Sequence, residues 1–136
     1  MLKVSEIVKI LDAEVLTGQE NMDLEIYSGC GADLMSDVMA FVKESVILCT
    51  GLVNPQVVRT AEMMDIKVLC FVRGKVPGEA VIELAKEKGI TVLATQQPLF
   101  ICCGLLYSNG SFPLCLILLA CPSLSLADYL TYGRGI

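Results

Sequence analysis

Three prolines mark a repeated pattern in this chain. Pro55, Pro77 and Pro98 each follow a short apolar run rich in β-branched residues, and each precedes a stretch with helical character. Proline is favoured at the first position of a helix, because the N–H that it lacks has no partner there and its fixed φ suits a helix. The pattern therefore predicts consecutive strand–loop–helix units, an α/β fold and a mainly parallel sheet.

These three units contain the strongest strand and helix signals. Each apolar run lacks polar alternation, which is typical of a parallel strand covered on both faces. The second helix has an apolar face and an acidic face, and Gly89 lies where a left-handed cap belongs. The predicted strands lie at residues 46–50, 67–72 and 91–95, followed by helices at 55–64, 77–88 and 98–107.

The segment before these units predicts smaller elements. Ser5 is a candidate N-cap for a helix that ends at Leu11, and Asp33 or Ser36 is one for a helix that carries Val38 towards the core. Strands are predicted at 13–17 and 24–28, and residues 28–31, with two glycines, predict a flexible connection.

The chain changes character after Tyr107. Residues 108–136 carry only two charged side chains, and the apolar run at 114–120 is shorter than the ~20 residues of a membrane-spanning helix. We therefore divide the chain into a domain at 1–107 and an apolar tail at 108–136. The tail has three interpretations: an extra element of the fold, a membrane or partner patch, or residues from a shifted reading frame. Its lack of amphipathic period favours the last.

Charge and composition exclude several classes of protein. A net charge of −5, with ten basic residues spread singly, does not provide the cationic face that nucleic acid requires. The seven cysteines include no CxxC pair and the chain has no histidine, so we predict no metal site and no cofactor. We expect the cysteines in strand runs to be buried filler. No secretory signal is visible, which predicts a cytoplasmic protein.

Two segments resemble the DRTGG-domain family: GADLMSDV at residues 31–38 and TGLVNPQV at residues 50–57. The resemblance covers roughly residues 1–107. It implies similarity to the N-terminal domain of HPr kinase/phosphorylase and to domains within phosphotransacetylases and CBS-containing pyrophosphatases, mostly bacterial and archaeal. Some stand-alone members accompany iron-hydrogenase genes. The resemblance also implies a three-layer α/β/α fold, often dimeric, with a regulatory or ligand-sensing role and no established catalytic activity.

The residues themselves do not predict an enzyme. The phosphate-binding motif GxxxxGK[ST] is absent, since Arg73-Gly74-Lys75 lacks the upstream glycine and the following hydroxyl. Without histidine, a serine or cysteine nucleophile has only lysine or a carboxylate as its base. We therefore expect no catalysis.

Anion binding is the best-supported chemistry. Loops that leave parallel strands gather at one edge of the sheet, where open α/β folds bind small ligands. Backbone N–H groups and the positive end of the helix at Pro55 favour a phosphate or carboxylate, and basic side chains in the next loop add charge. The predicted rim comprises Thr50, Gly51, Asn54, Arg73, Gly74, Lys75 and Thr95. A structural interpretation stays open, because such loops need these residue types for geometry alone.

Two functions follow from this pattern. The first is a regulatory or ligand-sensing module that binds a nucleotide or another small anionic metabolite. The alternative is a homodimerisation or protein-interaction module without a ligand, accessory to a redox system such as a hydrogenase. The alternative rests on the helix at 98–107, which has no charged face and must be buried in a dimer interface or within the monomer. We expect a homodimer.

Overall fold

The computed structural model describes residues 1–41, 45–110 and 112–113. Short strands and helices follow one another along the chain, with a 3-10 turn at Gln19–Asn21. The elements in chain order are β1 (Leu2–Lys3), α1 (Val4–Leu11), β2 (Glu14–Thr17), β3 (Glu25–Ile26), β4 (Ser28–Gly31), α2 (Met35–Phe41), β5 (Val46–Thr50), α3 (Pro55–Met63), β6 (Val68–Phe71), α4 (Glu79–Glu87), β7 (Thr91–Ala94), α5 (Leu99–Ser108) and β8 (Phe112–Pro113).

The main sheet has six strands in the order β2-β7-β6-β5-β4-β8. The four strands β4, β5, β6 and β7 are parallel to one another, and β8 at one edge is parallel to β4. At the other edge, β2 is antiparallel to β7. A separate antiparallel pair joins β1 to β3. The prediction of a mainly parallel sheet built from consecutive βα units is confirmed.

Helices cover both faces of the sheet. On one face, side chains of α1 and α5 pack on Ile47, Cys49 and Cys70 of the central strands. On the other face, side chains of α2, α3 and α4 pack on Leu48 and Phe71. Alternate residues of each central strand thus enter two separate cores, which is why these strands are apolar throughout. The three-layer α/β/α architecture is confirmed.

The prediction of a flexible connection at residues 28–31 is wrong. These residues form β4, which pairs in parallel with β5 from Ser28 opposite Val46 to Gly31 opposite Cys49. Gly31 has a packing role, because a Cβ there would lie 2.5 Å from the Cys103 sulfur of α5. Long-range pairing and the close approach of α5 therefore decide the structure of a segment whose local composition suggests a loop.

The prolines differ in their positions. Pro55 occupies the first turn of α3 behind the N-cap Asn54, as predicted. Pro98 is the N-cap of α5, and α4 begins two residues after Pro77, with Gly78 as its N-cap. Helix α1 likewise begins before Ser5, with Lys3 as its N-cap and the Glu6 carboxylate accepting from the Lys3 N–H at 2.8 Å. The repeat therefore predicts the units more reliably than their first helical residues.

The boundary predicted after Tyr107 falls inside α5, which ends at Ser108. Phe112 and Pro113 then pair with Ser28 and Gly29 at the edge of the sheet. The rest of the predicted tail, residues 114–136, lies outside the described residues, and its three interpretations stay predictions. Within the part of the chain that the structure describes, no helix is long and apolar enough to cross a bilayer.

Candidate functional site

The seven predicted site residues lie where the parallel strands β5, β6 and β7 end. Thr50 is the last residue of β5, Arg73 to Lys75 follow β6, and Thr95 directly follows β7. The structure brings them to one edge of the sheet but divides them into two groups. Thr50, Gly51 and Asn54 lie on one side of a turn at residues 72–75, and Thr95 lies on the other.

The 72–75 turn reverses the chain directly after β6. The Lys75 N–H donates to the Val72 carbonyl at 3.1 Å. Both central residues have positive φ, 57° at Arg73 and 69° at Gly74, as in a type I′ turn. The Arg73 N–H donates to the Gln97 carbonyl at 2.9 Å and the Gly74 N–H to the Thr95 carbonyl at 2.9 Å, which fixes the turn to the end of β7.

The side chains of this turn carry its charge. Arg73 and Lys75 are both exposed. Among the residues that the structure describes, ion pairs join only Lys67 to Asp65 and Lys88 to Glu62, so neither cation of the turn is in an ion pair there. The 72–75 turn therefore presents two cations to solvent at the edge of the sheet where the parallel strands end.

Asp33 is a neighbour that sequence reasoning assigned to a different role. Its Oδ1 accepts a hydrogen bond from the Thr50 hydroxyl at 3.1 Å and one from the Gly51 N–H at 2.7 Å. Its carboxylate thus bonds the Thr50 loop, while the Asp37 and Val38 N–H groups of α2 donate to the Leu34 carbonyl at 3.1 and 3.4 Å. A Cβ at Gly51 would lie 3.5 Å from both the Arg73 guanidinium and the Asp33 carboxylate, so these opposite charges both lie close to Gly51.

The backbone donors expected to receive an anion are largely engaged within the protein. Gly51 donates to Asp33, the Leu52 N–H to the Thr50 hydroxyl at 3.1 Å, and the Gln56 N–H to the Asn54 side chain at 2.9 Å. The Asp33 carboxylate thus occupies the position that a ligand anion would take at Gly51. On this side of the turn, Arg73 is the group that remains available to an incoming phosphate.

A cavity of about 180 Å³ opens on the other side of the turn. Two of its lining residues, Asp12 and Glu14, are not among the predicted site residues. Asp12 follows α1, and the antiparallel pairing of Glu14 with Ala94 brings β2 to the end of β7. The lining residues are Asp12, Glu14, Gly74, Lys75, Val76, Ala94, Thr95 and Gln96.

Thr95 connects the segments that line this cavity through its hydrogen bonds. Its side chain is buried, and its hydroxyl donates to the Leu11 carbonyl at 2.7 Å and accepts from the Gln97 N–H at 3.2 Å. The hydroxyl is therefore already engaged, and its structural effect is to hold the end of α1, with Asp12, against the end of β7.

The described part of the chain holds no metal cluster, and burial lowers the reactivity of two of its thiols. Its five cysteines are free, and no group of three or more His, Cys, Asp or Glu side chains there is placed to hold a metal ion. Burial raises the pKa of the Cys30 thiol to about 11 and that of Cys102 to about 12. Since the thiolate is the reactive form, these thiols are poor nucleophiles at neutral pH.

The fold and the position of these loops define the class of protein: a small, open α/β domain with a mainly parallel sheet between two layers of helices. The family model for the DRTGG domain matches residues 6–101. The chain therefore belongs to the DRTGG domain family, as its resemblance predicted.

A solved structure shares this fold. It is the crystal structure of the CBS and DRTGG domains of the regulatory region of Clostridium perfringens pyrophosphatase, complexed with the activator diadenosine tetraphosphate. The two structures superpose with a TM-score of 0.64 at 24% sequence identity, over 79% of this chain and 46% of that one. This chain thus spans less than half the length of that regulatory region. No curated protein matches the chain.

Proposed function

We propose that this chain is a non-catalytic regulatory module that senses a nucleotide or another phosphate-bearing metabolite. The ligand binds at the predicted rim, where Arg73 and Lys75 contact its phosphate. Thr50, Asn54 and Thr95 hold the loops in place, since their side chains are engaged in internal hydrogen bonds. The compartment in this proposal is the cytoplasm.

The observation that carries the proposal is the 72–75 turn. It holds two exposed cations beside a cavity, at the edge of the sheet where open α/β folds bind ligands. A residue with a side chain, Arg73, occupies the left-handed position where glycine is favoured. Support also comes from the pyrophosphatase regulatory region of the same fold, which was solved with a nucleotide activator.

The test is the shift in melting temperature that ADP, ATP and acetyl phosphate cause. We expect at least one of them to raise the melting temperature of the wild type, because a ligand that binds only the folded state stabilises it. The double variant Arg73→Ala/Lys75→Ala removes the two cations and abolishes the shift.

The matched control is Arg59→Ala/Lys86→Ala, which removes two exposed cations from α3 and α4 and retains the shift. If a ligand shifts the melting temperatures of the two double variants equally, the cations of the 72–75 turn do not bind it. The absence of any shift across a broad screen of phosphorylated metabolites would contradict ligand sensing as a whole.

A second candidate function is homodimerisation, and the outer face of α5 favours it. Phe100 is 85% exposed, Tyr107 is 60% exposed and Ile101 is 40% exposed, on a helix without a charged residue. Large exposed apolar side chains in one area are typical of interaction sites. Light scattering of the full chain over a range of concentrations tests this: we expect a dimer that Phe100→Asp dissociates, whereas a monomer at every concentration would contradict it.

A further inference from the structure

The charges around the 180 Å³ cavity do not match those of a simple anion site. Asp12 and Glu14 contribute two carboxylates and Lys75 one ammonium group, so acid exceeds base among the lining side chains. A bare phosphate that approached Lys75 would also approach two like charges. The ligand that suits this cavity therefore carries hydrogen-bond donors for the carboxylates as well as an anionic group for Lys75.

Thr95 links the two segments that supply these charged side chains. Its hydroxyl bonds the Leu11 carbonyl next to Asp12, and its carbonyl accepts from Gly74 of the turn that carries Lys75. The pairing of Glu14 with Ala94 fixes the second carboxylate to the same strand end. The segment that ends α1 and begins β2 therefore supplies the carboxylates that line the cavity, and the 72–75 turn supplies the ammonium group.

Gly74 lies in the turn that borders the cavity. A Cβ at this position would lie 2.6 Å from the Gln96 Oε1, and its φ of 69° disfavours any side chain. The Gln96 amide also lines the cavity and offers both a donor and an acceptor. The positive φ therefore favours glycine at this position, whereas the exposed Gln96 amide has room to move away from a Cβ.

Carboxylates that accept from vicinal hydroxyls are a common means of recognising ribose, as in dinucleotide-binding folds. A volume of about 180 Å³ is below the range of roughly 300–1,000 Å³ for pockets that enclose a whole ligand, so this cavity holds one part of a molecule. We infer that the cavity binds the ribose of a ribonucleoside phosphate, with Asp12 and Glu14 accepting from its hydroxyls and Lys75 contacting its phosphate. This inference rests on the proposed function and specifies its ligand class.

The experiment compares ADP with 2′,3′-dideoxy-ADP by titration calorimetry. A hydrogen bond to a charged group contributes about tenfold or more to affinity, so we expect the dideoxy compound to bind the wild type at least about tenfold more weakly. Glu14→Gln weakens ADP binding and reduces the ratio between the two affinities. Glu83→Gln, which changes an exposed carboxylate of α4, leaves the ratio unchanged.

The outcomes separate this inference from the proposed function. Equal affinities of the wild type for ADP and the dideoxy compound, with both lost in Arg73→Ala/Lys75→Ala, would overturn ribose recognition and leave phosphate sensing intact. If acetyl phosphate, which has no ribose, binds as tightly as ADP, ribose recognition is likewise overturned and phosphate sensing is left intact. Circular dichroism checks that each variant is folded, and since Glu14 is exposed we expect its variant to fold normally.

Discussion

Arg73 shows how one residue links the backbone to the proposed site. Its φ of 57° lies in the left-handed region, which costs a residue with a Cβ roughly 1–2 kcal/mol. The turn keeps this conformation because the Arg73 and Gly74 N–H groups are both bonded to the segment after β7. A strained residue that points a cation to solvent is an observation from which function is reasonably inferred.

We predict that Arg73→Gly makes the protein more stable while removing its response to ligand. Glycine adopts a positive φ without steric cost, so the free energy of unfolding rises by up to about 1 kcal/mol. Arg73→Ala is the matched control, since it removes the same charge but keeps the Cβ and its strain. Urea denaturation of both variants measures the difference. If Arg73→Gly and Arg73→Ala have equal free energies of unfolding, the positive φ of residue 73 does not strain the folded protein.

The sequence predicts the position of a site residue when the local pattern determines it, but not the contacts that a site residue makes with distant parts of the chain. Arg73, Gly74 and Lys75 follow an apolar strand, and this local pattern places them at the edge of the sheet. The engagement of the Thr95 hydroxyl depends on Leu11, 84 residues away, and no local pattern contains that partner. The local sequence predicts Asp33 as a helix cap, but its carboxylate accepts a hydrogen bond from the Thr50 hydroxyl, 17 residues further along the chain. Whether the predicted residues bind a ligand stays a prediction.

At the scale of elements, β4 and α5 depend on each other. The sequence of β4 has too many small residues to predict a strand, yet it lies between β5 and β8 in the sheet. Gly31 leaves room for α5, because its absent Cβ would meet Cys103 at 2.5 Å and Leu99 at 3.2 Å. Glycine here serves packing, and only the position of α5 reveals it.

Two glycine substitutions in this pair of elements are expected to have opposite effects. Gly31→Ala pushes α5 away from β4 and lowers the free energy of unfolding by about 1–3 kcal/mol, as overpacking does. Gly104→Ala lies within α5, where an added Cβ meets nothing within 4 Å, so it raises that free energy by about 1 kcal/mol through helix propensity.

Chemical denaturation measures both substitutions. Combining Gly31→Ala with Cys103→Ala removes the nearest obstructing atom and is expected to recover part of the loss. A destabilisation that is the same with and without Cys103 would show that the close approach is not the cause.

At the scale of the whole molecule, the buried thiol of Cys102 connects the fold to pH. Cys49 and Cys70 are register partners on β5 and β6, and Cys102 of α5 packs in the same core. Burial raises the pKa of Cys102 from 9.0 to about 12. The sequence predicts Cys49 and Cys70 as buried filler from their apolar strands, and both are buried. Their grouping under α5 depends on the sheet order, which the repeat of βα units does not specify.

The Cys102 thiol predicts a loss of stability at alkaline pH. Because folding raises the pKa of Cys102, the thiol contributes its full stability below pH 9, where both states are protonated. Above pH 9 the unfolded state ionises first, so the free energy of unfolding falls as pH rises towards about 12. When the pH rises from 8 to 10.5, we expect the free energy of unfolding of Cys102→Ala to fall by about 1–2 kcal/mol less than that of the wild type.

Guanidinium denaturation at several pH values between 8 and 10.5 measures this difference. Val58→Ala is the control, because it truncates another fully buried side chain without removing a titrating group. It is expected to lower stability at every pH while keeping the wild-type dependence on pH. Subtracting its curve from that of Cys102→Ala isolates the thiol, since tyrosine and lysine ionisation is common to both variants. Parallel curves for the two variants would mean that the Cys102 thiol does not couple folding to pH.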